Sequence, residues 1–126
     1  IINVDENGNV KVQQSGTIVE LARGGQTVIT AGTEYAIYST TNFDASEVTV
    51  QVRGMGKKVD IVIKEYINSI APSNRVRNST ISSEENSSYL MTGRTKVFGR
   101  VLEICVKNTL SEDVAIAAWA VNAIKT

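Results

Sequence analysis

The chain has 126 residues, enough for one domain that buries roughly two-thirds of its unfolded surface. Thirteen lysines and arginines balance 13 aspartates and glutamates, which argues against a dedicated nucleic-acid binder. Histidine is absent, so the commonest general base and metal ligand is missing, and with it any serine–histidine triad.

No apolar run approaches the roughly 20 residues that span a bilayer, so no membrane insertion is expected. No signal peptide is visible. The chain starts at Ile1 rather than Met, which points to processing or trimming.

Residues 1–14 read IINVDENGNVKVQQ. Asn7-Gly8 between alternating residues signals a hairpin. A two-residue loop would pair Val4 with Lys11 and put the two apolar sets on opposite faces. A three-residue loop, Asn7-Gly8-Asn9, pairs Val4 with Val12 and Glu6 with Val10, in agreement with the pattern. The segment is expected to be such a hairpin, or an arm that pairs with a neighbouring copy. Its contact residues would be Ile1, Ile2, Val4, Val10 and Val12. Asp5, Asn7 and Asn9 also match the start of a calcium loop. Val10 then stands where glycine belongs and Gly16 where the closing glutamate belongs, so the turn reading is preferred.

Residues 15–126 are expected to form a single domain. Residues 17–21 read as a strand, Arg23-Gly24-Gly25 as a turn, and 26–30 as a second short strand. Ala31-Gly32 is a further turn. In the strand 35–40, Tyr35 and Ile37 share one face, Ala36 and Tyr38 the other. Over 47–53, Val48, Val50 and Val52 point in while Thr49, Gln51 and Arg53 point out. Gly54-Met55-Gly56 turns the chain, and Val59, Ile61 and Ile63 return on one face. This predicts a hairpin.

Residues 68–88 are rich in Ser and Asn and hold the single proline, Pro72. They read as a polar connection, with Val76 and Ile81 anchoring a short strand. Asn78-Ser79-Thr80 and Asn86-Ser87-Ser88 fit the glycosylation pattern, as such triplets commonly do in Ser/Asn-rich loops. Tyr89-Leu90-Met91 starts a strand, and 92–96 turn into the closing pair.

That pair is the most apolar part of the chain. Leu102, Ile104 and Val106 share one face; Val101, Glu103, Cys105 and Lys107 share the other. In 114–124, Val114, Ile116, Ala118 and Ala120 lie on one face and Ala115, Ala117, Trp119, Val121 and Ala123 on the other. Apolar residues on both faces predict a strand covered on both sides, with an alanine-rich helix as the rival. Leu110-Ser111-Glu112-Asp113 is turn-like, so the two runs are expected to be the central antiparallel pair of one sheet.

About eight to ten short strands and no convincing helix predict an all-β antiparallel sandwich, jelly-roll-like. Its expected core is Val48, Val50, Val52, Val59, Ile61, Ile63, Leu102, Ile104, Val106 and Trp119.

Chemistry is sparse. Asp44, Glu47, Asp60, Glu65, Glu84, Glu85 and Glu103 are scattered, and nothing suggests a facing pair of the glycosidase kind. Cys105 lies among apolar residues and would cross-link two copies only if exposed. No catalytic residue, metal or organic cofactor is expected, and no enzyme. A sugar-binding sandwich usually presents exposed aromatics. Trp119 is expected in the core, leaving Tyr66 and Tyr89 as the exposed ones.

The layout is an apolar N-terminal arm, a Val-rich hairpin over 48–66, a polar crossing and a closing pair with a short final strand. It resembles the small β-sandwich subunits of bacterial surface or spore appendages, and equally the jelly-roll subunits of phage virions. The appendage resemblance implies polymerisation, with an N-terminal arm completing the sheet of the next copy. The N-terminal cysteines that such subunits often carry are absent here. The expectation is a non-enzymatic, self-assembling structural subunit, extracellular, on a cell or spore surface, or in a virion. Its partner would be itself, as a homo-oligomer. The alternative is a module that binds carbohydrate, such as a surface glycan, or another surface ligand.

Overall fold

The computed structural model describes residues 3–4, 10–11, 17–82 and 90–125. Their strands are β1 (Asn3–Val4), β2 (Val10–Lys11), β3 (Thr17–Gly24), β4 (Thr27–Ile29), β5 (Glu34–Thr40) and β6 (Glu47–Gly54). Then come β7 (Asp60–Tyr66), β8 (Arg75–Ser82), β9 (Leu90–Lys96), β10 (Val101–Lys107) and β11 (Val114–Lys125). A 3-10 turn, Pro72–Asn74, leads into β8. No helix among the described residues is long and apolar enough to cross a membrane.

The fold is an antiparallel β-sandwich. One sheet runs β5-β10-β7-β8; the other runs β3-β11-β6-β9, with β4 also on β11. Their inner faces meet in one apolar cluster. Val48, Val50, Val52, Val59, Ile61, Ile63, Leu102, Ile104 and Val106 are each at most 1 % exposed, so the expected inward faces stand. Each such side chain contributes about 1.5–3 kcal/mol through burial.

Which strands pair is another matter. β10 and β11 are not partners. Each is flanked on both sides by other strands, but in different sheets. The expected 48–66 hairpin is likewise a corner: β6 lies in one sheet and β7 in the other. Gly56, at φ +86°, helps carry the chain across. The reason is physical. An apolar face can be buried against the opposite sheet as well as beside a neighbour, and alternation does not distinguish the two.

The Gly24-Gly25 turn is also corrected. β3 and β4 both pair antiparallel with β11, at 119–125 and 114–116, so they are one interrupted edge. Gly24 is required by close approach: a Cβ there would lie 2.4 Å from Cε2 of Trp119. Residues 92–96, expected as a turn, continue β9 and pair with β6. The 68–88 connection contains a strand of eight residues, β8, at the sheet edge.

The two-sided apolarity of β11 has a different cause from a strand covered on both sides. Ile116 pairs with Gly54 and Ala118 with Arg53, so one residue is extra and the side-chain alternation inverts there. Val114 and Ile116 before the bulge, and Val121 and Ala123 after it, are all buried. Ala118 is exposed and Trp119 only half-buried, packed against the core from its margin. In β5 a second bulge, at Ile37, separates the expected face-mates: Ile37 is buried and Tyr35 is 41 % exposed.

β1 and β2 pair with each other, Asn3 with Lys11 and Val4 with Val10. The register therefore differs by two residues from the expected Val4–Val12 pairing. A two-residue shift preserves the alternation, so the hydrophobic pattern could not choose between them. Ile1, Ile2 and Val12 lie outside the described residues.

Candidate functional site

The strongest surface feature lies at one end of the sandwich, where β7 ends, β8 begins and 97–100 link β9 to β10. Glu65 follows Ile61 and Ile63 on the inward face of β7 and is 3 % exposed. A buried carboxylate must be paired, and here it is. Its Oε1 accepts from the backbone amides of Phe98 (2.9 Å) and Gly99 (3.3 Å). Its Oε2 accepts from Nη1 of Arg77 at 3.1 Å.

Arg77 reaches from β8 to the other sheet. It donates to the Lys96 carbonyl (2.7 Å) and Thr95 Oγ1 (3.3 Å). Its guanidinium carbon sits 4.8 Å from the Phe98 ring centroid. The link is fixed further by the Phe43 amide donating to the Arg100 carbonyl at 2.8 Å.

What this apparatus holds is exposed and apolar. Phe98 is 77 % exposed, Val76 59 % and Ile67 54 %, with Ile70 beyond them in the loop that follows β7. Ile67, Val76 and Phe98, with Tyr66, Arg77 and Arg100, wall a groove of about 630 Å³. That volume suits recognition.

The aromatic expectations change accordingly. Tyr66 is 6 % exposed, and its hydroxyl donates to Glu103 Oε1 at 3.2 Å. Burial, then the Glu103 carboxylate, raises its pKa. Tyr89 lies outside the described residues. Phe98, at 77 %, is the most exposed aromatic among the described residues, ahead of Tyr35 at 41 %.

The outer face of the β5-β10-β7-β8 sheet carries a separate polar cluster. Lys64 Nζ bonds Glu34 and lies 3.9 Å from Glu103. The Lys64 hydrogen bond holds the Glu34 carboxyl below its usual pKa. Burial opposes the charge on Lys64, but the bond to Glu34 and neighbouring negative groups outweigh it and raise the pKa.

Cys105 lies between Ala36 and Val62 in this sheet and is 3 % exposed. Burial, then the charge of Glu103, pushes its thiol up to about 12. A thiol so placed is neither a nucleophile nor a ready cross-link. In the native protein at pH 8, a disulfide-exchange reagent should therefore leave Cys105 unlabelled for hours, and denaturant should release one equivalent at once. Rapid native labelling would show that the sheet face opens.

Val4 and Val10 are paired with each other, as described, while the other contact candidates lie outside the described residues. Among the described residues no group of three or more His, Cys, Asp or Glu is placed to hold a metal ion. Sequence reasoning misses the Glu65–Arg77 clamp because Glu65 reads as one of several scattered carboxylates. Its signal was present: it extends the inward alternation of Ile61 and Ile63. No protein-family model, curated protein or solved structure matches this chain.

Proposed function

We propose that this chain is a non-enzymatic structural subunit that self-assembles into an oligomer or filament. Its setting is a bacterial surface or spore appendage, or a phage virion. The observation that carries the reading is the exposed apolar corner of Ile67, Val76 and Phe98. A buried carboxylate and a two-sheet arginine clamp hold it in place. Contiguous exposed apolar surface marks interaction sites, and rigidly presented aromatics are the usual anchors of interfaces.

The strand order adds support. Apart from β7 to β8, each step from β4 to β11 crosses between the sheets. That alternation supports a jelly-roll reading of the sandwich, the form taken by many capsid domains. Residues 1–12, with Ile1, Ile2, Val4, Val10 and Val12, supply the contact strand.

Light scattering coupled to size-exclusion chromatography, with negative-stain microscopy, tests the proposal. Defined oligomers or fibres that grow with concentration are expected. A monomer at every concentration overturns it. The exposed Phe98 ring at the mouth of the groove favours one second reading, a glycan-binding module. A monomer that binds on a glycan array would establish that instead.

A further inference from the structure

We infer that the groove at the ends of β7 and β10 binds a carboxylate-bearing sugar, a uronate or a sialic acid, with Phe98 as its stacking platform and Arg100 as its anion contact. This rests on the glycan-binding reading of the groove and adds the charge class of the sugar. It is compatible with self-assembly, because every residue of the site belongs to one chain.

Paired strand ends anchor the groove. Tyr66, at the end of β7, lies opposite Val101, at the start of β10, and both line it. Phe98 and Arg100 join them from the link held by Glu65. The Phe98 ring has the Arg77 guanidinium 4.8 Å from its centroid, yet the residue is 77 % exposed, so its other face stands open. An aromatic face is electron-rich and accepts the C–H face of a sugar ring, which leaves the hydroxyls at the ring's edge. Thr41 and Asn68, the latter turned at φ +65°, bring a hydroxyl and an amide to the same groove.

Charge selects an acidic sugar. Two arginines line the groove, and Arg77 is matched by Glu65. Arg100 has no carboxylate within ion-pair distance among the described residues. Its bond to Asn42 Oδ1, at 3.4 Å, is weak. The other carboxylates at this end are paired, Asp44 with Lys125 and Glu47 with Arg94. Arg75, opposite Tyr66, and Lys96 also lack a carboxylate partner among the described residues. The field over the groove is therefore positive.

The free arginine points to a carboxylate. A guanidinium fork meets a carboxylate in two parallel hydrogen bonds. A phosphate is less well served, since the Phe98 and Gly99 amides that could cradle it already donate to Glu65. A ring laid on Phe98 with its carboxylate on Arg100 uses both features at once.

Isothermal titration calorimetry of the full chain tests this. One probe pair is trigalacturonate and its methyl ester; the other is sialyllactose and its methyl ester. Within each pair only the charge differs. At least one acid should bind about tenfold or more tightly than its ester. Arg100→Gln should bring that acid down to the level of the ester. Phe98→Ser should weaken both by about fivefold or more. Both substitutions change exposed side chains, so melting should match the parent. Light scattering on the same samples keeps ligand binding apart from assembly. An ester that binds as tightly as its acid overturns the acidic class and leaves the glycan reading standing. An Arg100→Gln variant that keeps the preference overturns this groove as the site. If none of the four sugars binds at millimolar concentration, the acidic class falls, and the glycan array then separates a neutral-glycan site from none at all.

Discussion

Replacing Asn108 with leucine should lower stability by about 2–4 kcal/mol, because it strips partners from three backbone groups at once. Asn108 is 0 % exposed. Its Nδ2 donates to the carbonyls of Ile29 (3.0 Å) and Glu112 (2.7 Å), and its Oδ1 accepts from the Leu110 amide (2.9 Å). Its own amide donates to the Thr33 carbonyl at 2.9 Å. One side chain therefore ties the end of β4 to the link that carries the chain from one sheet to the other. Leucine fits the volume but offers no polar atom. The Ile29 carbonyl is fully buried and bears most of the cost; the other two groups can turn partly to water. Asn108→Asp keeps the acceptor for Leu110 but loses both donations and buries a charge, so it should be no better. Urea unfolding should show a lowered midpoint at constant slope. A loss below about 1 kcal/mol would mean that the link repacks and that the network is dispensable.

Ile104→Ala should cost about 2–5 kcal/mol, as lost transfer energy plus the cavity left behind. Ile104 sits in β10, flanked by β5 and β7, opposite Tyr38 and Ile63, and is 0 % exposed. Two flanking strands and a facing sheet leave little freedom to collapse around the void. The same unfolding experiment reads it. A variant as stable as the parent would refute the inward assignment of Leu102, Ile104 and Val106. The effects of the Asn108 and Ile104 substitutions should be nearly additive if the two sites share no partners.

The corner that presents Phe98 combines order with exposure. Glu65 is taken out of water, which is costly unless every oxygen is satisfied. Two backbone amides and Arg77 meet that need, and all three hold the 97–100 link. The result is a large apolar ring presented to solvent from an anchored backbone, with the Arg77 guanidinium 4.8 Å from its centroid. Preorganisation of that kind reduces the entropy cost of binding.

Period-two alternation by itself determined which residues of β6, β7 and β10 face the core. An inward β-branched side chain on a half-buried strand can be recognised from its neighbours in the chain alone. The absence of histidine and the single cysteine likewise bounded the chemistry without any coordinates. Only the tertiary structure decided which strand lies beside which. Gly54-Met55-Gly56 can close a hairpin or bridge two sheets, and the choice depends on contacts far away in the chain. The same holds for the bulge that inverts β11: its extra residue is defined by pairing with Gly54 and Arg53, not by any local signal. Trp119 settles at the margin because Gly24 leaves space for its ring. Glu65 was the half-legible case. Its inward position was readable, but Arg77 lies 12 residues on, and the Phe98 and Gly99 amides are 33 and 34 residues away. Long-range pairing brought them together, and with them the exposed groove.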